Sequence, residues 1–211
     1  MPEVVFTVIG DLVASRRSAS RSATQNALRA ALQRTSRIVA VVDRLEPTVG
    51  DEFQGAFASL ADATAATLLI RLLLGTHGDA RCGIGAGTRE VFDAHRVPML
   101  QDGPAWWSAR AAIDRFDTPA HRWQRTWFDP GEVGPPPAPV NAYLLTRDAL
   151  VDRLNARSRS MLVRALGGAS QKQIAAEEGV SASAVSQAFA RGVGAVRDAQ
   201  DVFADPHRLT P

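Results

Sequence analysis

Val8-Ile9-Gly10-Asp11 and Val49-Gly50-Asp51-Glu52-Phe53 are the two stretches on which the reading of the fold turns. Each sets a carboxylate at the end of an apolar, β-branched run, the composition of a buried strand. Val4 to Ile9 reads as a first strand. Leu45 to Val49 and Phe53 to Ala58, joined through Gly50-Asp51-Glu52, read as a β-hairpin with a tight tip. Laid side by side, these strands bring Asp11 and Asp51 together. Hard cations such as Mg²⁺ take oxygen ligands, usually one or two carboxylates plus substrate phosphates. Asp11 and Asp51, with Glu52 as a third ligand, are therefore the expected metal site, with Mg²⁺ shared with a nucleotide. Leu12, Val13 and Ser15, leading into the next helix, are expected to offer backbone N–H groups to the phosphates, and Gly50 to let a phosphate come close. The competing readings are plainer: Asp11 caps the following helix, and Asp51 is an ordinary turn residue.

Outward from these stretches the pattern alternates. Ser22-Ala23-Thr24-Gln25 fits a capping box and opens a long helix running to about Val42. Leu60 to Leu74 is a second helix, ended by Gly75. Arg81 to Gly87 is a third internal strand, glycine-rich and central. Pro104 to Asp114 is a third helix, with Gly103 before it and Pro104 in its first turn. Arg122 to Phe128 alternates as an edge strand does. The order β-α-β-β-α-β, extended by α-β, is the split β-α-β plan of ferredoxin-like domains. Gly131 to Pro139, with Pro135-Pro136-Pro137, reads as a linker. The expected fold class is α+β: a ferredoxin-like domain over residues 1–130, a linker over 131–140, and a small all-α domain over 141–205.

Composition narrows the function classes. The chain has 211 residues, 45% hydrophobic and 22% charged, enough for a packed core. No apolar run reaches the length of about 18 residues that a spanning helix needs. No basic-then-apolar leader opens the chain, so a cytoplasmic protein is expected. Cys82, the single cysteine, excludes an internal disulfide and is expected as a small buried hydrophobe. His77, His95, His121 and His207 show no metal-ligand spacing and are expected at the surface. Lys172 is the only lysine. Residues 1–152 carry 16 Arg against 17 Asp plus Glu, whereas residues 153–197 carry seven Arg plus Lys against two Glu. The basic excess is a phosphate-binding footprint confined to the C-terminal part.

That part also holds a motif. In Ser170-Gln171-Lys172-Gln173-Ile174-Ala175-Ala176-Glu177-Glu178-Gly179-Val180-Ser181-Ala182-Ser183-Ala184-Val185-Ser186-Gln187, Ile174 and Ala175 pack inward and Gly179 supplies a left-handed turn residue. Val180 plugs the core, Ser181 caps the second helix, and Val185 and Phe189 anchor it. This is the mechanics of a helix-turn-helix, preceded by helices over Asn141 to Leu154 and Arg157 to Leu166. The motif resembles the sigma-factor region 4 and LuxR-type readers. The resemblance implies that a helix from Ala182 to about Val196 enters the major groove of double-stranded DNA. Ser181, Ser183, Ser186 and Gln187 would then stand at the DNA, with Gln187 able to pair with adenine. Lys172, Arg191 and Arg164 would touch phosphates. A homodimer would read two half-sites. The alternative is a helical dimerisation or docking module.

The strand-end carboxylates and the Arg81-Cys82-Gly83-Ile84-Gly85 strand resemble the class III nucleotide cyclases and GGDEF proteins. The resemblance implies a palm-like, nucleotide cyclase-like domain with Asp11 and Asp51 as the metal aspartates. There are departures. Pro47 stands where the cyclases place a base-selecting lysine, Trp106-Trp107 occupies the region of their transition-state asparagine, and Val49 replaces the first glycine of the GGDEF tip. Such losses of transition-state electrostatics argue against efficient cyclisation. Trp107 is expected to stack a base and Arg110 to clamp a phosphate, against the alternatives of core tryptophans and an Arg110–Asp114 pair one helical turn apart. A resemblance to the SatD family covers nearly the whole chain. It rests on Gly10-Asp11-Leu12-Val13-Ala14-Ser15-Arg16, Val49-Gly50-Asp51-Glu52-Phe53-Gln54-Gly55, Asp102-Gly103-Pro104-Ala105-Trp106-Trp107-Ser108-Ala109-Arg110 and Gln171-Lys172-Gln173-Ile174-Ala175.

The leading expectation is a nucleotide-responsive, DNA-binding transcriptional regulator whose cyclase-like sensor domain is catalytically degenerate. Its rival is a divergent nucleotidyl cyclase or transferase using two-metal chemistry at Asp11 and Asp51. A third reading is an interaction protein with a vestigial palm.

Overall fold

The computed structural model describes residues 3–13 and 21–205. The chain divides into two compact units, residues 1–145 and 146–211. The first unit contains β1 (Val5–Val13), α1 (Arg21–Ile38), β2 (Asp43–Pro47), β3 (Glu52–Phe57), α2 (Leu60–Leu74), β4 (Asp79–Gly87), β5 (Glu90–Asp93), β6 (Leu100–Asp102), α3 (Pro104–Asp114), β7 (Thr126–Asp129) and the beginning of α4 (Pro137–Arg153). Five strands form one sheet in the order β2-β3-β1-β4-β7. β1 runs antiparallel to both β3 and β4. β7 runs parallel to β4, as a crossover through α3 demands. This is the expected split β-α-β arrangement with its α-β extension.

β1 is central and buried on both faces, which is why Val5, Val8, Ile9 and Leu12 need no polar alternation. α1 and α2 pack together. α3 lies on the sheet face toward which Thr7, Ile9 and Asp11 point. There Thr7 Oγ1 donates to the Ala105 carbonyl at 2.7 Å, and Ile9 packs with Ala109, Ile113 and Phe116. α3 can come so close because β4 presents Gly83, Gly85 and Gly87 on that face. A Cβ on any of the three would fall inside 3.0 Å of α3 backbone atoms of Ala105, Ala109 or Ile113. Alanines line the facing side of the helix, so backbone meets backbone with no side chain between.

α2 and α3 keep their expected bounds. α1 ends earlier than expected, at Ile38 rather than near Val42. The run Ile38-Val39-Ala40-Val41-Val42 is mostly β-branched and disfavours helix, and the Val42 amide instead donates to Ala56 at 2.8 Å, joining the sheet edge. Ser22 lies inside α1, and the Gln25 amide reaches the Gly50 carbonyl at 2.9 Å, so the expected capping box is replaced by a tie to the hairpin tip. The edge strand is shorter than Arg122 to Phe128, because residues 118–124 form turns. Asn141 pairs with β7 as a strand backbone would, accepting from Phe128 N at 2.8 Å and donating to Phe128 O at 2.9 Å. The β5–β6 hairpin was not expected; its strands are short and mostly exposed. The proline-rich stretch, expected as a linker over 131–140, is a turn at Gly131–Gly134 followed by the first turn of α4. Pro137 and Pro139 cost little there because first-turn N–H groups have no helical partner.

Arg71, the one basic residue of α2, is fully buried and forms two hydrogen bonds to Asp79, at 2.9 and 3.0 Å. Arg125 adds a third to the same carboxylate at 2.8 Å. Burial alone would push the Asp79 carboxyl up, but the hydrogen bonds and charge of Arg71, with the bond from Arg125, outweigh it and hold Asp79 below its ordinary value.

The second unit holds the end of α4, then α5 (Ala156–Leu166), α6 (Gln171–Glu178), α7 (Ala182–Ala188), a π-helical turn over Phe189–Val193, and α8 (Gly194–Ala204). Ser170 and Gln173 form a complete capping box on α6, and Gly179 takes the left-handed conformation at φ 62°, ψ 38°. Ile174 and Val185 are fully buried, while Ala175 and Val180 are half-buried. Glu178 accepts from Ser160 at 2.6 Å and from Arg164 at 2.7 Å, tying α5 to α6.

Two outcomes test this packing. Gly85→Ala should lower the urea midpoint by the equivalent of about 3 kcal/mol, the upper range for overpacking a core. An unchanged midpoint would mean that α3 is not seated on the strand backbone. Asp79→Asn should cost about 3 kcal/mol at neutral pH, since it strands a buried guanidinium. Because the folded carboxyl titrates below its unfolded value, that contribution is complete above about pH 4. It fades as pH falls through the lower folded value, so wild-type and variant urea midpoints should converge only in strong acid.

Candidate functional site

Strand register gathers the expected carboxylates. Asp11 on β1 pairs with Glu52 on β3 and with Arg81 on β4, so the three residues form one row across adjacent strands, on the α3 face. Asp51 sits just beyond the row in the hairpin tip, where Gly50 turns at φ 72°, and its charge contributes to the environment of Arg81. From α3, Arg110 reaches over to Glu52.

The row is a set of ion pairs. Arg81 Nε donates to Asp11 Oδ1 at 2.9 Å and its Nη2 to Asp11 Oδ2. The same guanidinium donates to the Phe116 carbonyl at 3.4 Å, stands 3.7 Å from Asp117, and lies over the Phe116 ring. Arg110 holds both oxygens of Glu52 at 3.1 Å. Hydrogen bonding to Asp11 raises the Arg81 pKa above its already high ordinary value, and hydrogen bonding to Glu52 does the same for Arg110. Both cations therefore keep their charge at any working pH. Arg81 and Asp11 are each about one-fifth exposed, whereas Arg110 and Glu52 are more open at 45% and 37%.

Asp11, Asp51, Glu52 and Arg110 thus come together, and Arg81 joins them. Arg81 is the functional candidate that sequence reading missed. The available signal was its place in β4, two residues before Gly83 and so on the same face as the glycines. The expected Arg110–Asp114 pair is only a longer-range attraction, because Glu52 takes the guanidinium. Asp11 caps no helix among the described residues; its carboxylate is engaged by Arg81.

Other expected residues lie elsewhere. Leu12 and Val13 continue β1, in register with Ala80 and Asp79 on β4. Ser15 and His207 lie outside the described residues. The tryptophans divide: Trp106 is core, at 7% exposure, whereas Trp107 is 62% exposed. Trp107 donates to Asp102 at 2.7 Å and lines a separate cleft of about 430 Å³ with Thr88, Arg89 and Phe92. Cys82 is buried, as expected. His77 and His95 are exposed; His121 is half-buried, with Nδ1 beside Arg115 and Gln124.

The donor set does not suit a divalent cation as it stands. Among the described residues no group of three or more His, Cys, Asp or Glu side chains is placed to hold a metal ion. Asp11 and Glu52 already direct their oxygens at guanidinium groups, which supply the positive charge a cation would bring.

In the second unit, Lys172, Ser181, Ser183, Ser186, Gln187 and Arg191 are all exposed. Ser181 is spent as the cap of α7, accepting from Ala184 N at 3.2 Å. Arg164 pairs with Glu177 and Glu178 and is not free for phosphate. The helix expected from Ala182 to about Val196 is interrupted: α7 ends at Ala188, and Gly192 adopts φ 130° before α8 begins. Gly192 and Gly194 within three residues give the helix little propensity to continue. No helix among the described residues is long and apolar enough to cross a membrane.

No curated protein matches the chain. Two solved structures, each of a bacterial light-regulated adenylyl cyclase, are similar to it at 14% and 12% identity, with TM-scores of 0.43 and 0.40. Each likeness covers 61% of this chain and 44% of the cyclase chain, so this protein spans less than half of the length of those structures. The family model of SatD matches residues 5–122, which include β1, the β2–β3 hairpin, the glycine strand and α3. That match takes in more than half of the chain and all three members of the charged row, and the protein belongs to the SatD family.

Proposed function

We propose that the first unit handles a nucleoside triphosphate, as a divergent member of the nucleotidyl cyclase or transferase class. The observation that carries the reading is the Glu52–Asp11–Arg81 row, with Asp51 at its end and Arg110 above it. Charged groups at strand ends, partly open to solvent, are what an anionic substrate needs. Arg81 and Arg110 are the phosphate-binding groups. A triphosphate would displace Glu52 from the more open Arg110 and compete with Asp117 for Arg81. Guanidinium groups bind phosphate oxygens in pairs and favour the charge that develops on them during phosphoryl transfer. Asp11 orients Arg81 through both its oxygens. A metal-using version of the chemistry at Asp11 and Asp51, with Glu52 as a third ligand, first requires Arg81 to release Asp11.

For the second unit we keep the DNA-reading proposal. Its support is the α6–Gly179–α7 turn, with Lys172, Ser183, Ser186, Gln187 and Arg191 exposed beside it. Nucleotide control of DNA affinity, by a homodimer or otherwise, then requires different nucleotide affinities in the DNA-bound and free states.

Labelled nucleoside triphosphates, incubated with the protein in Mg²⁺, Mn²⁺ or chelator, test the first proposal by binding and by product analysis. Arg81→Ala and Arg110→Ala should each weaken binding by about 10-fold or more, the worth of a charged hydrogen-bonded contact. Arg81→Lys should not restore it, because an ammonium cannot replace the fork. Turnover lost in Asp11→Ala and Asp51→Ala would establish the enzyme; wild-type protein that binds no triphosphate under any condition defeats the reading. For the second unit, duplex DNA binding followed by fluorescence anisotropy should weaken steeply with salt. Arg191→Ala should reduce the slope by about 1 if that residue meets a phosphate. Binding unchanged in both Arg191→Ala and Gln187→Ala would remove the helix from the DNA.

A further inference from the structure

α1 carries four arginines and no acidic residue. Arg29, Gln33 and Arg37 recur at four-residue spacing and so share one stripe of the helix. The stripe borders a cleft of about 560 Å³ closed on its other side by β2, from which Arg44 enters. Leu32 and Leu45, almost fully buried, form its floor with Pro47, and Val97 stands at its rim.

The three arginines differ from those of the charged row. Arg81, Arg110, Arg71, Arg125 and Arg89 each have a carboxylate partner. Among the described residues, Arg29, Arg37 and Arg44 have none within ion-pair distance, and all three are exposed. Glu46 is the one acidic side chain on the cleft wall, and no ion pair joins it to them. Three like charges around one concavity repel each other and raise the local potential for anions. The volume lies within the roughly 300–1,000 Å³ typical of small-molecule sites. The wall chemistry asks for a ligand with two ends: an anionic group for the guanidinium pairs, and an apolar or aromatic body for Leu32, Leu45, Pro47 and Val97. Guanidinium forks match phosphate geometry.

We propose that the α1–β2 cleft is a binding site for a small organic phosphate, its phosphate held by Arg29, Arg37 and Arg44 and its body laid on the Leu32–Leu45 floor. The site is separate from the Asp11–Arg81 row, and the proposal does not depend on the nucleotide reading of that row.

Isothermal titration of the full chain with naphthyl phosphate, inorganic phosphate and naphthol tests it. Naphthyl phosphate should bind about 10-fold or more tightly than either fragment, because only it engages charge and floor together. Arg37→Ala/Arg44→Ala should lose at least about 10-fold of that affinity, Glu46→Gln should tighten it, and Arg81→Ala/Arg110→Ala should leave it unchanged. All these substitutions alter exposed or half-buried residues, and circular dichroism confirms the fold of each variant. The proposal is overturned if naphthyl phosphate binds no better than inorganic phosphate, if Arg37→Ala/Arg44→Ala binds like wild type, or if affinity disappears only in Arg81→Ala/Arg110→Ala. That last outcome would assign the ligand to the charged row and leave the nucleotide reading standing.

Discussion

The contact of α3 with the bare backbone of β4 sets the geometry of the first unit. Gly83, Gly85 and Gly87 leave no side chain between strand and helix, so α3 is fixed along its length by Ala105, Ala109 and Ile113. Seated that closely, the helix delivers Arg110 to Glu52 and carries Phe116 to the guanidinium of Arg81. The same seating ties α3 to β1 through the hydrogen bond from Thr7 to the Ala105 carbonyl. A larger residue anywhere in the glycine lane would lift the helix and draw Arg110 away from Glu52.

Within that frame the row is electrostatically closed. Asp11 and Glu52 stand directly opposite each other on neighbouring strands, an arrangement that like charges disfavour unless cations intervene. A divalent ion is one solution, and Arg81 and Arg110 are another. Each guanidinium is held on a different element from its carboxylate: Arg81 on β4 for Asp11 on β1, and Arg110 on α3 for Glu52 on β3. The arginines thus fasten β4 to β1 and α3 to the hairpin, while leaving one pair, Arg110 with Glu52, open enough to exchange partners. An anionic ligand needs such exchangeable cations. A resident cation would have to displace them.

Much of this was legible in the sequence because it rests on local rules. Pro104 after Gly103 marks the start of α3, the Gly50 turn marks the hairpin, and Val5 to Ile9 can only be a buried strand. The nearness of Asp11, Asp51 and Glu52 was legible because strand ends and hairpin tips are readable from composition. What escaped depends on register. Arg81 meets Asp11 only because β1 and β4 align residue for residue, and a one-residue slip would turn Arg81 to the other face. The end of α1 was misplaced because Val41 and Val42 satisfy a helical pattern yet bond to the sheet edge. Adjacency in sequence conceals that Trp106 and Trp107 divide, one into the core and one to the surface, because neighbours on a helix point about 100° apart. The break at Gly192 was hidden by an apolar spacing, Val185, Phe189, Val193 and Val196, that continues through it.

The distribution of arginine partners separates structural charge from available charge. Arg71 is buried and bonded to Asp79 on another element, and its removal would leave a hole in the core. Arg164 is likewise occupied, by the two glutamates at the end of α6. Arg29, Arg37 and Arg44 are exposed, lie on one cleft and have no carboxylate beside them among the described residues. Guanidinium groups kept together without counter-ions add nothing to folding and cost some repulsion. α1 could have carried a glutamate four residues from Arg29 or Arg37, a pairing that stabilises helices by a few tenths of a kcal/mol. It carries none. A helix that forgoes that stabilisation on one stripe, beside an apolar floor, has its charges placed for something other than itself.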